Sequence, residues 1–371
     1  MSQCSDADRK PVAPEQAGHE IRDEDIERLA RAVVALRGEY EFATFWLGVR
    51  LHGPITPEAA VATKSLLARR VASRVFELRP DLDSTPESPD ANILLHYPEL
   101  TATIRPRSLL VYGRYRKFSR EIPQSRWHCR RCRGRGCDLC GGTGRRFTMT
   151  IEEMLAAPFL AATGGRGTRF HSIGREDVDV RTLGNGRPFV LEILEPRRRS
   201  LDLSALQSEV NAACRAYFEV LGLRIATPEL KDRVNSTVAD KSYRAVVACL
   251  SPVPAERVRW LGQIRDLHIA QETPRRVLHR RANKVRHRTI RHIETSLPRE
   301  DMRTVANFEM TLRAEAGTYI KEFVSGDEGR THPSVSWLLG VPCDCAELDV
   351  IEVHCDPAAE SQPAESGATA P

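Results

Sequence analysis

HSIGREDVDVRTLGNGRPF, residues 171–189, is the stretch that decides how this chain is read. Three carboxylates, Glu176, Asp177 and Asp179, stand between Arg175 and Arg181, with glycines at 174, 184 and 186 around them. Closely spaced glycines supply turn conformations, and the apolar run that follows (188–194) is strand-like, so the segment predicts a tight charged loop beside a strand. Cations around a carboxylate favour its ionised form, which suits a nucleophile or a general base. A solvated loop with surface ion pairs fits these residues equally well.

Outward from that loop, strand-like runs recur at 243–250, 306–315 and 348–354, separated by helices or basic loops. Residues 201–221 read as one amphipathic helix, with Leu206, Val210, Ala213 and Phe218 near one face. Upstream, Thr150 opens a helix that runs into a Gly-rich loop at 163–169. Nearer the N-terminus, Ile26, Leu29, Val33 and Leu36 fall at helical spacing, 42–51 reads as a strand, and Thr56-Pro57 caps a helix lasting through Leu78. Short strands at 92–95 and 108–112 follow a polar linker at 80–91. The fold class is α/β (α+β): a small mixed domain first, then a larger half with an extended mixed, largely antiparallel sheet.

Hydrophobic residues make up 41% and charged residues 28% of the 371, an ordinary soluble composition, and no apolar run is long enough to span a bilayer. The polar N-terminal stretch carries no hydrophobic signal core, so a cytoplasmic setting is expected, without a membrane and without an obligate protein partner. A net charge of +5 names no partner, but the distribution does. Residues 273–292 hold eight Lys or Arg and no acid: Arg275, Arg276, Arg280, Arg281, Lys284, Arg286, Arg288 and Arg291. Such a stripe can neutralise phosphates, which makes these residues the expected RNA-binding surface; a solvated surface helix is the bland alternative. A second concentration of arginine runs from Arg105 to Arg146.

That second concentration surrounds Cys129, Cys132, Cys137 and Cys140, two Cys-x-x-Cys pairs with glycines at the turns. Four thiolates at this spacing predict a closed, structural zinc site with no open position for water. Metal-free thiols or a redox pair are the alternatives, and catalytic zinc is disfavoured because every ligand is a thiolate. The spacing resembles half of the cysteine-rich module of DnaJ-type chaperones.

The string at 174–192 is similar to the signature of the archaeal and eukaryotic synthases that make pseudouridine at tRNA positions 54 and 55, the "Pus Ten" family. Further matching strings follow in the family's order: KSYRA at 241–245, Gln271 to Ala282, Gly317 to Asp327, and Gly329 to Ser336. YGRYRKFSR at 112–120 resembles the end of the family's N-terminal THUMP-containing region. The resemblance covers about residues 105–354. It implies that Asp177 is the catalytic aspartate, with Asp179 the lesser candidate. Tyr243 would stack on the flipped base, Lys321 would pair with Asp177, and Tyr319 would contact the nucleotide from the same strand face as Lys321. Arg175 and Arg181 would hold phosphates or orient the loop. No cofactor beyond structural zinc is implied, and the partner is tRNA through its TΨC arm.

The expected organisation is a disordered tail at 1–20, a THUMP-containing RNA-binding domain at 21–126, and a zinc knuckle at 127–147 bracing the junction to a catalytic domain at 148–355, followed by a second tail at 356–371. The function implied is isomerisation of uridine-55, and of uridine-54 as a further target. The competing reading is a non-catalytic, zinc-containing tRNA-binding or chaperone-like protein, in which Asp177, Tyr243 and Lys321 are dispensable. Another THUMP-bearing tRNA enzyme is disfavoured, because the chain has neither a GxGxxG cofactor loop after a strand nor a P-loop.

Overall fold

The computed structural model describes residues 21–53, 55–279 and 281–358, so the expected tail at 1–20, nearly all of the one at 356–371, and Arg280 lie outside the described residues. The described chain forms two compact units.

The first unit spans residues up to Ser108 and takes in Glu195–Ser200. Helix α1 (Asp23–Ala35) buries Ile26, Leu29, Ala30 and Val33, the one stripe that its helical period allows. Strand β1 (Thr44–Leu51) leads to α2 (Pro57–Leu78), whose cap Thr56 accepts a hydrogen bond from the Ala59 N–H and whose first residue is proline, as expected. Strands β2 (Asp83–Ser84), β3 (Ala91–Tyr97) and β4 (Thr101–Pro106) complete a sheet of order β2-β1-β3-β4, antiparallel only between β3 and β4. Ile26 and Leu29 of α1 share a core with Leu67, Val71 and Val75 of α2 and with Phe45 and Ile93 of the sheet.

The second unit begins with β5 (Leu109–Lys117). The sequence places this segment before the knuckle in the first domain; it is instead a strand of the large sheet, so the first unit ends at Ser108 rather than at 126. Then come α3 (Ile151–Thr163), β6 (Gly167–Ser172), β7 (Arg181–Leu194), α4 (Leu203–Cys214), β8 (Phe218–Ile225), α5 (Pro228–Ser236), β9 (Lys241–Pro254), α6 (Ala255–Leu261), β10 (Arg265–Glu272), β11 (Val285–Ser296), β12 (Thr304–Ala314), α7 (Ile320–Ser325), β13 (Thr331–His332), α8 (Val335–Leu339) and β14 (Cys343–Val353). The helix expected over 201–221 stops at Cys214, because Phe218 and Val220 are drawn into β8 beside β5. The Gly-rich loop at 163–169 shrinks to a tight turn: Gly164 ends α3 in the left-handed conformation and β6 begins at Gly167.

The sheet runs β13-β10-β11-β12-β9-β14-β7-β5-β8, with β6 beside β7. All pairings are antiparallel except β14 with β7, which meet over Asp349↔Arg181 and Val350↔Thr182. Strand β7 is buried on both faces: Val190 enters one core, while Phe189, Leu191 and Ile193 enter the other. The charged loop between β6 and β7 therefore leads into a strand buried on both faces, between β14 and β5 in the sheet. No helix of the described residues is long and apolar enough to cross a membrane.

Candidate active site

Residues 173–180 join β6 to β7, and one buried cation fixes their backbone. Lys117, fully buried at the end of β5, donates to the carbonyls of Asp177 (3.2 Å), Val178 (2.5 Å) and Val180 (2.9 Å). An ammonium has three protons to give, and each finds an acceptor in this one loop. Burial pulls the Lys117 pKa from 10.5 to about 8. Gly174 enters the loop at φ +76°, where a Cβ would lie 3.1 Å from the Arg187 Nη1; glycine answers both the conformation and the space.

The three carboxylates diverge from this backbone. Glu176 turns inward, with Arg187 Nε at 2.9 Å and the Tyr115 hydroxyl donating to it at 2.9 Å, while Gln124 donates to that hydroxyl at 2.7 Å. Asp177 turns outward, 30% exposed, with Arg276 Nη1 at 2.8 Å. Asp179 is the most exposed of the three and pairs with Lys321 at 2.6 Å. Burial opposes its ionisation, yet the hydrogen bond and charge of Lys321 hold Asp179 below the usual carboxylate range.

Asp177 opens into a cavity of about 760 Å³ that also receives Tyr243 from β9, Tyr319 and Lys321 from the start of α7, and Arg175 and Arg276. These side chains come from distant stretches of chain and meet here. Burial pushes the Tyr243 phenol up to about 12, so it is a neutral ring at the cavity wall. Lys241, two residues earlier on β9, also lines the cavity; burial, reinforced by Arg187, draws it down to about 8.

Two expected geometries are corrected. Lys321 pairs with Asp179 and not with Asp177, whose cationic partner is Arg276. Tyr319 and Lys321 do not share a strand face: Tyr319 caps α7 and Lys321 lies in its first turn. The cause is Gln271, fully buried on β10, which donates to the Tyr319 carbonyl at 2.9 Å and accepts from the Tyr319 N–H at 2.8 Å. With both backbone groups already bonded to Gln271, Tyr319 has no place in a sheet ladder.

Arg181 does not line the cavity. It grips the buried Asp349 of β14 through two contacts, 2.8 and 2.7 Å, and Arg120 (2.7 Å) and Arg244 (2.8 Å) grip the same carboxylate. Against the penalty of burial, these cations hold Asp349 at about 2. The cluster fastens β7 to β14 immediately after the Asp177 loop. Arg175 lies 5.1 Å over the Trp127 ring.

The basic stripe is a turn followed by β11 rather than a helix, and the acids missing from its sequence arrive from elsewhere. Arg275 meets Glu328, Arg276 meets Glu322 as well as Asp177, Arg288 lies 3.6 Å from Glu315, and Arg291 lies 3.3 Å from Asp240. Arg281 donates to the Tyr319 hydroxyl at 3.2 Å, and Arg286 to the Thr273 hydroxyl at 2.9 Å. Thr273 also receives the Lys284 N–H, closing the turn.

Cys129, Cys132, Cys137 and Cys140 converge so that all four Sγ atoms lie within 4.8 Å of one another. Three of the separations are 3.7, 3.8 and 3.9 Å. A tetrahedral ion with bonds of about 2.3 Å to sulfur requires edges of about 3.8 Å, so the donor set fits a tetrahedral metal. Backbone N–H groups of Gly136, Cys137 and Gly144 point at the sulfurs at 3.2 Å. Gly144, at φ +68°, passes so close to Gly134 that a Cβ would lie 2.3 Å from its carbonyl oxygen, which is why the knuckle needs glycine there.

Lys117, Gln271 and the Glu176–Arg187 pair are the site residues that the sequence reading did not assign, and Arg276, expected on the RNA-binding stripe, is the one that reaches Asp177. Alternation along 112–117 held one signal: Tyr115 and Lys117 fall on the same face of a strand otherwise rich in apolar residues.

With this geometry in place, comparison with known proteins is informative. The Pus10 C-terminal domain profile matches residues 110–354, so the string at 112–120 lies inside that domain rather than at the end of the region before it. The chain is 40% identical over 336 residues to a Methanocaldococcus jannaschii protein named tRNA pseudouridine synthase Pus10, covering 89% of this chain and 72% of that one. An Archaeoglobus fulgidus protein of the same name is 37% identical over 341 residues, 88% of this chain and 92% of the relative. A chain in a crystal structure of a Cbf5–Nop10–Gar1 complex overlaps 55% of this chain and 43% of its own length at 17% identity, with a TM-score of 0.33.

Proposed function

The chain belongs to the Pus10 family of tRNA pseudouridine synthases, and from that premise we propose that it isomerises uridine-55 in the TΨC arm of tRNA, with uridine-54 as an optional second target and Asp177 as the reacting carboxylate. The observation that carries this assignment is the single cavity in which Asp177 meets Tyr243, Tyr319 and Lys321. Uridine must leave the stacked arm to enter it, at a cost of a few kcal/mol that contacts to the RNA offset.

Asp177 then attacks C1′ of the ribose and displaces uracil through N1, or removes the C2′ proton to give a glycal. By either route the N1–C1′ bond breaks, uracil turns within the cavity, and a C5–C1′ bond forms. C5 loses its proton and N1 ends protonated, so the product is an isomer of the substrate. Tyr243 offers a neutral face on which the base can turn. Arg276, at 2.8 Å, aims Asp177, and Glu322, bonded to the Arg276 Nε at 2.5 Å, fixes that guanidinium in turn. Lys321, Tyr319 and Arg175 bind the nucleotide. Arg275, Arg281, Lys284, Arg286 and Arg288 carry the neighbouring backbone, although most already hold partners within the fold. The four cysteines hold a structural zinc ion, which keeps the knuckle folded and takes no part in the chemistry. The first unit is a THUMP-containing RNA-binding domain, and the substrate is the cytoplasmic tRNA pool.

Incubating the full chain with an unmodified tRNA transcript and mapping pseudouridine tests the assignment. Formation at 55, with or without 54, is expected. Binding of the transcript with no pseudouridine in the TΨC arm would leave the non-catalytic reading in its place.

A further inference from the structure

One strongly cationic surface beside the cavity has, apart from Arg175, no role in the chemistry above. Beside the cavity, Arg126, Arg130, Arg146 and Arg175 surround Trp127, with His279 arriving from the basic turn, and enclose a hollow of about 250 Å³. No carboxylate lines it among the described residues. A second hollow, of about 380 Å³, shares Trp127, Arg130, Arg146 and His279 and includes Asp177 and Lys321 in its wall. Trp127 and Asp177 both also line the catalytic cavity. A continuous trough thus runs from the reacting carboxylate to a nest of arginines.

The nest is built by the knuckle. Arg146 and Arg175 lie over the Trp127 indole, 5.2 and 5.1 Å from its ring, and Phe147 meets the same indole edge-on at 5.6 Å. The two legs of the knuckle are laced by the Arg146 N–H donating to the Trp127 carbonyl at 2.9 Å, and Arg126 and Arg145 are both anchored on Glu153 of α3. Stacking on an aromatic face orients a guanidinium, whose planar N–H groups match a phosphate.

We infer that this nest binds the RNA phosphodiester backbone beside the extruded nucleotide, with Trp127 as the platform that orients its arginines. The inference rests on the tRNA-modifying function proposed above and gives the knuckle a second role, as part of the substrate grip. Enzymes that extrude a base must hold the flanking backbone, and phosphate contacts set that register.

The test uses the full, metal-loaded chain and an unmodified tRNA transcript, with affinity measured across a salt series. Arg130→Gln with Arg146→Gln is expected to weaken binding about tenfold. It should also make the slope of log affinity against log salt shallower by about 1 to 2, because each lost phosphate contact contributes roughly 0.7 to 0.9. Metal content and melting temperature should stay at the wild-type values. Arg130→Lys with Arg146→Lys should restore the slope but not the whole affinity, because lysine keeps the charge and loses the planar fork. Should the double glutamine variant lose its metal, Arg130→Gln alone carries the test, since this exposed side chain is no ligand; a slope shallower by roughly 0.7 to 0.9 is expected of it. A glutamine variant with wild-type slope and affinity overturns the nest while pseudouridine formation by the wild type still stands. A wild-type chain that neither binds nor modifies the transcript overturns both.

Discussion

Glu176 and Asp177 are neighbours in one loop, yet their surroundings are opposites. The Glu176–Arg187 pair has both side chains 1% exposed, whereas the Asp177–Arg276 pair is 30% and 38% exposed. A buried pair of this kind is bound to the fold, because removing either partner leaves an uncompensated charge in a poorly solvated place. A half-open pair can exchange its partner for a ligand. The contrast teaches that the loop separates two settings: Glu176 is held inside the fold, and Asp177 is left open to the cavity.

The contrast breaks most visibly at Glu176. Glu176→Ala strands Arg187 and should cost about 3–5 kcal/mol in denaturant unfolding; a loss under about 1 kcal/mol would mean the pair does not anchor the loop. Lys117 gives the next effect, and it depends on pH. Its folded pKa of about 8 lies below the ordinary 10.5, so between those values the unfolded chain binds more protons than the folded one. Its contribution to stability therefore rises with pH across that window and is flat below it. Comparing wild type with Lys117→Met from pH 7 to pH 10.5 should show a relative gain for the wild type on the order of 3 kcal/mol; parallel curves would contradict the assigned burial. Arg276→Ala should lower pseudouridine formation about 100-fold by letting Asp177 drift, with the loss in kcat rather than KM. Were Lys321→Ala to cause that loss in kcat while Arg276→Ala did not, Lys321 would be the group acting on Asp177. Asp179→Asn is the smallest change: its exposed ion pair is worth about 0–1 kcal/mol, and turnover should stay within about tenfold of wild type.

The parts legible in the sequence were those decided locally. Thr56-Pro57 and Thr150 start helices because capping depends on a few adjacent residues. The loop glycines and the cysteine spacing are likewise local. Phe218 fits the apolar face of α4 by periodicity, but its place in β8 is set by Lys117, its neighbour across the strand pair. Tyr319 and Lys321 are two residues apart, which suits alternation, and only the distant Gln271 makes Tyr319 a helix cap. The exchange of Lys321 for Arg276 beside Asp177 has the same origin. Three acids and many arginines allow many pairings, and only the folded backbone chooses among them.

The measurement that bears most directly on this account is pseudouridine formation by Asp177→Asn in an unmodified tRNA transcript, alongside its tRNA affinity. The variant should make no detectable pseudouridine while binding tRNA within about threefold of wild type, since only the chemical step is removed. Near-normal turnover by that variant would contradict the assignment of Asp177.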